Sequence, residues 1–216
     1  MNAPESPPSA LPRGLYAIAD TQTLRATDFD TAVAAALAGG AVMVQYRDKS
    51  GDRARRQREA ARVVTLCRAH GALAIVNDDI ALAAAVGADG VHVGRDDLDP
   101  ATVRTRLGPG AVVGVSCYDD LERARAAAAT GASYLAFGSV FPSATKPDAV
   151  HAPLGLLGLA RDELRLPVCA IGGITAERAH EVIAAGADLL AVIGDLFAHA
   201  DIEARARRYR RCFLAR

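Results

Sequence analysis

From residue 15 onward, short apolar runs alternate with longer helix-prone segments. The short runs carry β-branched residues and stop at Asp, Ser or Gly, as buried strands do. They predict strands at 15–19, 41–46, 73–76, 91–93, 112–115, 134–137, 167–171 and 189–193. The segments between them predict helices at 29–37, 52–70, 80–86, 121–129, 156–164, 176–185 and 202–213, with a further helix from Asp99-Pro100 to near Gly108. Punctuation agrees with this pattern. Asp28 stands where a helix N-cap is needed, Asp99-Pro100 pairs a cap with a first-turn proline, and Gly71, Gly87, Gly131 and Gly186 follow helix ends.

Strand–helix alternation on this scale implies a parallel sheet with helical crossovers. Eight units predict a single compact (β/α)8 TIM barrel, with a doubly wound open sheet as the alternative. No Gly-x-Gly-x-x-Gly follows the first strand, which weakens a dinucleotide-binding reading. At 216 residues with 51% hydrophobic content, one domain with a sizeable core is expected. The Pro-rich residues 1–13 read as a flexible tail and 14–216 as the barrel domain. The tail has no apolar signal core and no run is long enough to span a bilayer, so a cytoplasmic protein is expected.

Lys+Arg and Asp+Glu both number 25, which argues against a general electrostatic grip on nucleic acid or an anionic membrane. A local basic pocket for a small phosphorylated substrate remains compatible with that balance. Cys67, Cys117, Cys169 and Cys212 are scattered without metal-site spacing, and read as small residues in a reducing compartment.

The stretch 73–98 is the organising unit. Its two predicted strands end in acids, Asn77-Asp78-Asp79 and Asp96-Asp97. Parallel strands joined by a helix share one C-terminal edge, so these carboxylates become neighbours and suit a hard cation such as magnesium. Asp79 also reads as a helix cap, and any single Asp as a solvated loop charge.

Barrel active sites lie on that edge. Gln45 and Arg47 share one strand face and Lys49 follows, a set suited to a diphosphate. His92 reads equally as a hydrogen-bonded core histidine or a catalytic one. Ser116 ends the fifth strand, and Ser143, Thr145 and Lys146 offer hydroxyls and a cation in the sixth loop, in a stretch that also reads as a polar turn. Gly172-Gly173 and Gly194 after the last two strands let backbone N–H groups approach an anion; they also read as tight turns. One edge thus carries a diphosphate-and-metal pole and a monophosphate pole.

Seven motifs in order, QYRDK (45–49), ND (77–78), GVHVGRDDL (90–98), GVS (114–116), FPSATK (141–146), AIGGI (170–174) and AVIG (191–194), resemble the thiamine-phosphate synthase family. The resemblance implies a small (β/α)8 barrel that joins a pyrimidine diphosphate to a thiazole phosphate, giving thiamine phosphate and pyrophosphate. It assigns the pyrimidine diphosphate to Gln45, Arg47, Lys49, Asn77, Ser116 and Lys146, magnesium to Asp78 and Asp97, and the thiazole phosphate to Ser143, Thr145, Gly173, Ile193 and Gly194. Arg47, Lys49, Lys146 and Ser116 form the implied catalytic set, with no covalent nucleophile required. The chain departs from the family at Arg95 (usually Gln), Tyr118 (commonly His), Ser143 (often Thr) and Gly194 (usually Ser). The partners implied are small molecules, with neither nucleic acid nor membrane, and a homo-oligomer is left open. Three rivals are a thiazole tautomerase, a sugar-phosphate isomerase or epimerase, and a non-catalytic sensor of thiamine precursors. Retention of Arg47, Lys49, Asp78, Asp97 and Lys146 together argues against the tautomerase.

Overall fold

A computed structural model describes residues 11–24, 28–95, 97–142 and 150–214. Eight parallel strands close in sequence order into a barrel, β1 pairing with both β2 and β8. They are β1 Gly14–Asp20, β2 Met43–Arg47, β3 Leu73–Asn77, β4 Gly90–Val93, β5 Val112–Tyr118, β6 Tyr134–Phe137, β7 Val168–Ile171 and β8 Leu189–Val192. The helices are α1 Phe29–Ala38, α2 Arg53–His70, α3 Ile80–Val86, α4 Pro100–Leu107, α5 Leu121–Ala129, α6 Gly155–Leu164, α7 Ala179–Ala184, α8 Gly194–Phe197 and α9 Ile202–Leu214. The predicted TIM barrel is the observed fold. None of the helices among the described residues is long and apolar enough to cross a membrane.

The alternation of side chains along each strand sorts two cores. Tyr16, Ile18, Met43, Ile75, Val112, Tyr134, Cys169 and Leu189 fill the barrel interior. Their neighbours, such as Ala17, Val44, Val76, Val91, Leu135 and Leu190, pack outward against the helices. Gly114 marks a close approach inside: a Cβ there would lie 2.0 Å from the ring of Tyr134. Asp28, Asp52, Asp79, Asp99 and Asp120 each cap a helix by accepting a backbone N–H, a contribution of about 1 kcal/mol apiece. Gly71 and Gly87 close α2 and α3 in the left-handed conformation.

Three elements differ from the expected pattern. The fifth strand does not end at Ser116 but continues to Tyr118, with a shift of register against β6 between the two. The helix expected at 176–185 spans only Ala179–Ala184; residues 176–178 form a turn whose Ala176 N–H is donated to the Asp195 carboxylate. The short helix α8 was not foreseen; it is a single turn directly after β8. Cys67, Cys117 and Cys169 are buried and free, and burial pushes the Cys67 and Cys117 thiols up to about 12, as suits inert core residues.

Candidate active site

The C-terminal strand ends bring the predicted side chains of β2 to β5 to one edge. On β2, Gln45 is buried and its Nε2 donates to the Tyr16 hydroxyl at 2.6 Å. Arg47, two residues on, pairs with Asp20 at the end of β1. Asp20 is only 4% exposed and also accepts from the N–H groups of Gln22 and Thr23, so Arg47 is held by a carboxylate that is itself fixed. In the sequence Asp20 is simply the Asp at which the first predicted strand stops. Asp48 points the other way and ties Arg55, Tyr46 and the Ser50 N–H together, shaping the loop that carries Lys49.

Lys49 Nζ lies 2.5 Å from Asp78 Oδ2, and Asn77 Nδ2 donates to the same oxygen at 2.6 Å. Asp78 has φ 59°, a conformation that costs a non-glycine residue energy and turns its carboxylate toward this group. Asp97 accepts the Gly94 N–H at 2.7 Å and neighbours the Asp78 carboxylate. Its carboxyl is raised above the ordinary value, first by lost hydration and further by the Asp78 carboxylate, while the Gly94 N–H and Lys49 oppose the shift. Lys49, Asn77 and Asp78 line a cavity of about 260 Å³ with Asp48, Ser50, Arg56 and Asp79. Asp79 is the α3 cap and pairs with Arg56, as the simpler expectation had it.

A polar chain crosses the barrel beneath this edge. The hydroxyls of Tyr16 and Tyr134 are 3.0 Å apart, Tyr134 lies 2.9 Å from His92 Nδ1, and His92 Nε2 lies 2.9 Å from Ser116 Oγ. Burial lowers the His92 pKa to about 4 against the opposing pull of Asp78, so the ring is neutral near pH 7. A single donor sense satisfies the whole chain: Gln45 to Tyr16, Tyr16 to Tyr134, Tyr134 to Nδ1, and Nε2–H to Ser116. The Ser116 proton is then free to donate elsewhere. Neither tyrosine was singled out in the sequence, where each reads as an ordinary apolar strand residue. His92 is the hydrogen-bonded interior histidine of the first expectation, and its Nε2 partner is Ser116.

Two departures from the family pattern meet at the β4–β5 rim. The Arg95 guanidinium lies 4.7 Å from the centre of the Tyr118 ring, which Arg123 approaches from 5.9 Å. Arg123 also donates to the carbonyls of Ser116 and Gly94, fixing the two strand ends together.

On the opposite side, Gly172 and Gly173 have φ 100° and 62°. A Cβ on Gly173 would fall 2.3 Å from the Pro142 carbonyl oxygen, so this turn admits only glycine. Ile193 follows β8 and Gly194 opens α8, with nothing within 4 Å of where its Cβ would stand. Ser143, Thr145 and Lys146 lie outside the described residues, as does Asp96.

The thiamine monophosphate synthase family model matches residues 15–196. This chain belongs to the thiamine monophosphate synthase family. It is an enzyme, a transferase. The thiamine-phosphate synthase of Chromobacterium violaceum is 58% identical over 203 residues, covering 94% of this chain and 97% of that one. That of Nitrosococcus oceani is 53% identical over 201 residues, covering 93% of each. Among solved structures, the thiamine phosphate pyrophosphorylase of Pyrococcus furiosus superimposes with a TM-score of 0.85 at 33% identity, covering 94% of this chain and 96% of that one. The family resemblance stated from the motifs is thereby established, and a thiamine monophosphate synthase barrel frames the chemistry of the edge just described.

Proposed function

We propose that the protein condenses 4-amino-2-methyl-5-(diphosphooxymethyl)pyrimidine with a thiazole phosphate, giving thiamine phosphate and pyrophosphate. The observation that carries this reading is the meeting of Lys49, Asn77, Asp78 and Asp97 beside the Arg47–Asp20 pair. An isomerase or tautomerase acting on a monophosphate has no use for such a pole.

Asp78 and Asp97 would hold magnesium. The described residues hold no cluster of three or more metal-ligating side chains, but two neighbouring carboxylates with one ammonium beside them suit magnesium, which commonly takes one or two carboxylates together with water and substrate phosphate oxygens. Bound there, the cation would offset charge on the diphosphate. Arg47 offers forked donors and Lys49 a point charge to the same group, and both gain strength as negative charge grows on departing pyrophosphate. Gln45 and Ser116 terminate the interior polar chain, which holds each in one orientation for the pyrimidine. Asn77 belongs to the same pole, and Lys146 is assigned there by the family motif. The aminopyrimidine shares positive charge at its exocyclic methylene as the C–O bond breaks, and the thiazole nitrogen then attacks that carbon. No protein nucleophile enters, and orienting the two rings supplies much of the remaining rate. The thiazole phosphate is assigned to the backbone of Gly173, Ile193 and Gly194 with the hydroxyls of Ser143 and Thr145.

The test is direct. Both substrates with magnesium should yield thiamine phosphate and pyrophosphate in equal amounts. Conversion of a thiazole tautomer without any use of the pyrimidine diphosphate would overturn the reading.

A further inference from the structure

Behind the β7 and β8 loops lies an ion-pair cluster that no proposed substrate contact uses. Its centre is Arg205 on α9, whose side chain is only 5% exposed. Arg205 donates from Nε and Nη2 to the two oxygens of Asp195, at 2.9 and 2.5 Å. It donates from Nη1 and Nη2 to the two oxygens of Glu177, at 2.7 and 2.8 Å. Asp195 Oδ2 accepts the Ala176 N–H at 3.2 Å. The Tyr209 hydroxyl, also on α9, lies 2.5 Å from Asp195 Oδ2 and 3.1 Å from the Ile174 carbonyl oxygen. The Arg205 guanidinium holds the Glu177 carboxyl well below the usual carboxylate range.

These contacts join the segment after β7 to the first turn of α8 after β8, which are separate in sequence. Ile174, Ala176 and Glu177 follow Gly173 after β7, and Asp195 follows Gly194 after β8. We infer that Arg205, Asp195 and Tyr209 are positioning residues for the phosphate seat, fixing the spacing of the β7 and β8 loops from behind. The inference rests on the reading of those loops as the thiazole phosphate site. A seat made of backbone N–H groups on two loops has no side chain of its own to hold its width, and small misplacements weaken every contact at once. A cluster needed only for stability would be served as well by apolar packing, because burying an ionised Arg is costly unless each donor is paired. Here the fork sets geometry, with Nε held by Asp195, Nη1 by Glu177, and Nη2 shared between the two. It also places a guanidinium against Asp195, whose charge would otherwise face a dianionic phosphate one residue away.

The test compares Arg205→Lys, which keeps the charge and loses the fork, with Tyr209→Phe, which loses one hydroxyl and keeps the ring. Arg205→Lys should raise KM for the thiazole phosphate, and weaken competition by inorganic phosphate against it, about tenfold, the weight of one charge-assisted hydrogen bond. Tyr209→Phe should shift both about threefold. Each should leave KM for the pyrimidine diphosphate and kcat at saturation unchanged. A lowered melting midpoint with neither KM moved would make the cluster merely structural and overturn the inference, as would a rise in pyrimidine KM alone. If Arg205→Lys does not fold, Tyr209→Phe decides by the same two readouts. Gly194→Ser touches the seat itself and separates the two levels. If it shifts the thiazole KM while the α9 variants do not, the positioning role fails and the site reading stands. If none of the three shifts it, the phosphate seat is elsewhere and both fail.

Discussion

The two ends of the proposed site are built by different means. The β2–β5 end is made of side chains: an arginine fixed by a buried aspartate, a lysine, the amides of Gln45 and Asn77, a serine and two carboxylates. The β7–β8 end, among the described residues, is made of backbone, with Gly172 and Gly173 in turns that exclude a side chain and an uncrowded Gly194. A side-chain site carries its chemistry in residue identity. A backbone site carries it in the spacing of loops, and so depends on what lies behind them. Substitutions at the first end should therefore act on the chemical step, and substitutions at or behind the second on the binding of one substrate.

Metal removal is the widest test of this contrast. Exhaustive chelation should abolish turnover, and added magnesium should restore it, because the Asp78–Asp97 pair leaves the departing diphosphate undercompensated by Arg47 and Lys49 alone. Turnover that survives chelation undiminished would remove the cation from the side-chain end. Lys146→Ala comes next. If Lys146 belongs with the diphosphate, kcat should fall by about 10²–10³, as when a donor to developing charge is lost, with little change in thiazole KM. A raised thiazole KM at constant kcat would move Lys146 to the other end.

Legibility in the sequence followed the same division. The eight strands were readable because each is a short apolar run with a clear stop, and Asp caps and glycine ends set the helices. Gln45, Arg47, Lys49, Asn77 and Asp78 were readable because polar residues at the end of an apolar strand need a reason to be there. Tyr16 and Tyr134 were not: a strand tyrosine looks like core until its hydroxyl is seen to meet another across the barrel. Arg205 was hidden for the opposite reason, since a basic residue on an Arg-rich final helix looks like solvent-facing surface. Both omissions depend on contacts between distant segments, which periodicity does not encode. The glycine turns were visible, but what holds them in register was not.

The interior chain offers a smaller perturbation at the side-chain end. Tyr134→Phe removes the hydroxyl that links Tyr16 to His92 and leaves each of them one partner short inside the barrel. Stability should fall by about 1–3 kcal/mol in urea denaturation, the usual consequence of leaving buried groups unpaired. KM for the pyrimidine diphosphate should rise, because Gln45 and Ser116 lose the chain that orients them, while thiazole KM stays put. Movement of the thiazole KM instead would show that the chain does not serve the pyrimidine end.

Gly194→Ser should give the smallest effect, and its direction is the informative part. The family motif usually has Ser here, which would add a hydroxyl donor to the backbone N–H that glycine already offers. The substitution is sterically admissible: Gly194 is the first residue of α8, is not among the left-handed glycines, and has nothing within 4 Å of its would-be Cβ. One neutral hydrogen bond contributes about 0.5–1.5 kcal/mol net, and a water already bridging the same phosphate oxygen would reduce the gain. KM for the thiazole phosphate should therefore fall several-fold, with KM for the pyrimidine diphosphate and kcat nearly unchanged. The measurement is a pair of KM values for each substrate at saturating concentration of the other. Gly173→Ser, by contrast, places a side chain against the Pro142 carbonyl in a left-handed turn and should weaken thiazole binding. Opposite shifts from the same serine at two positions of one backbone seat would mark where it has room for a side chain and where it has none. An unmoved thiazole KM in a correctly folded Gly194→Ser protein would mean that Gly194 does not face the phosphate, leaving the end of β7 without its partner across the site.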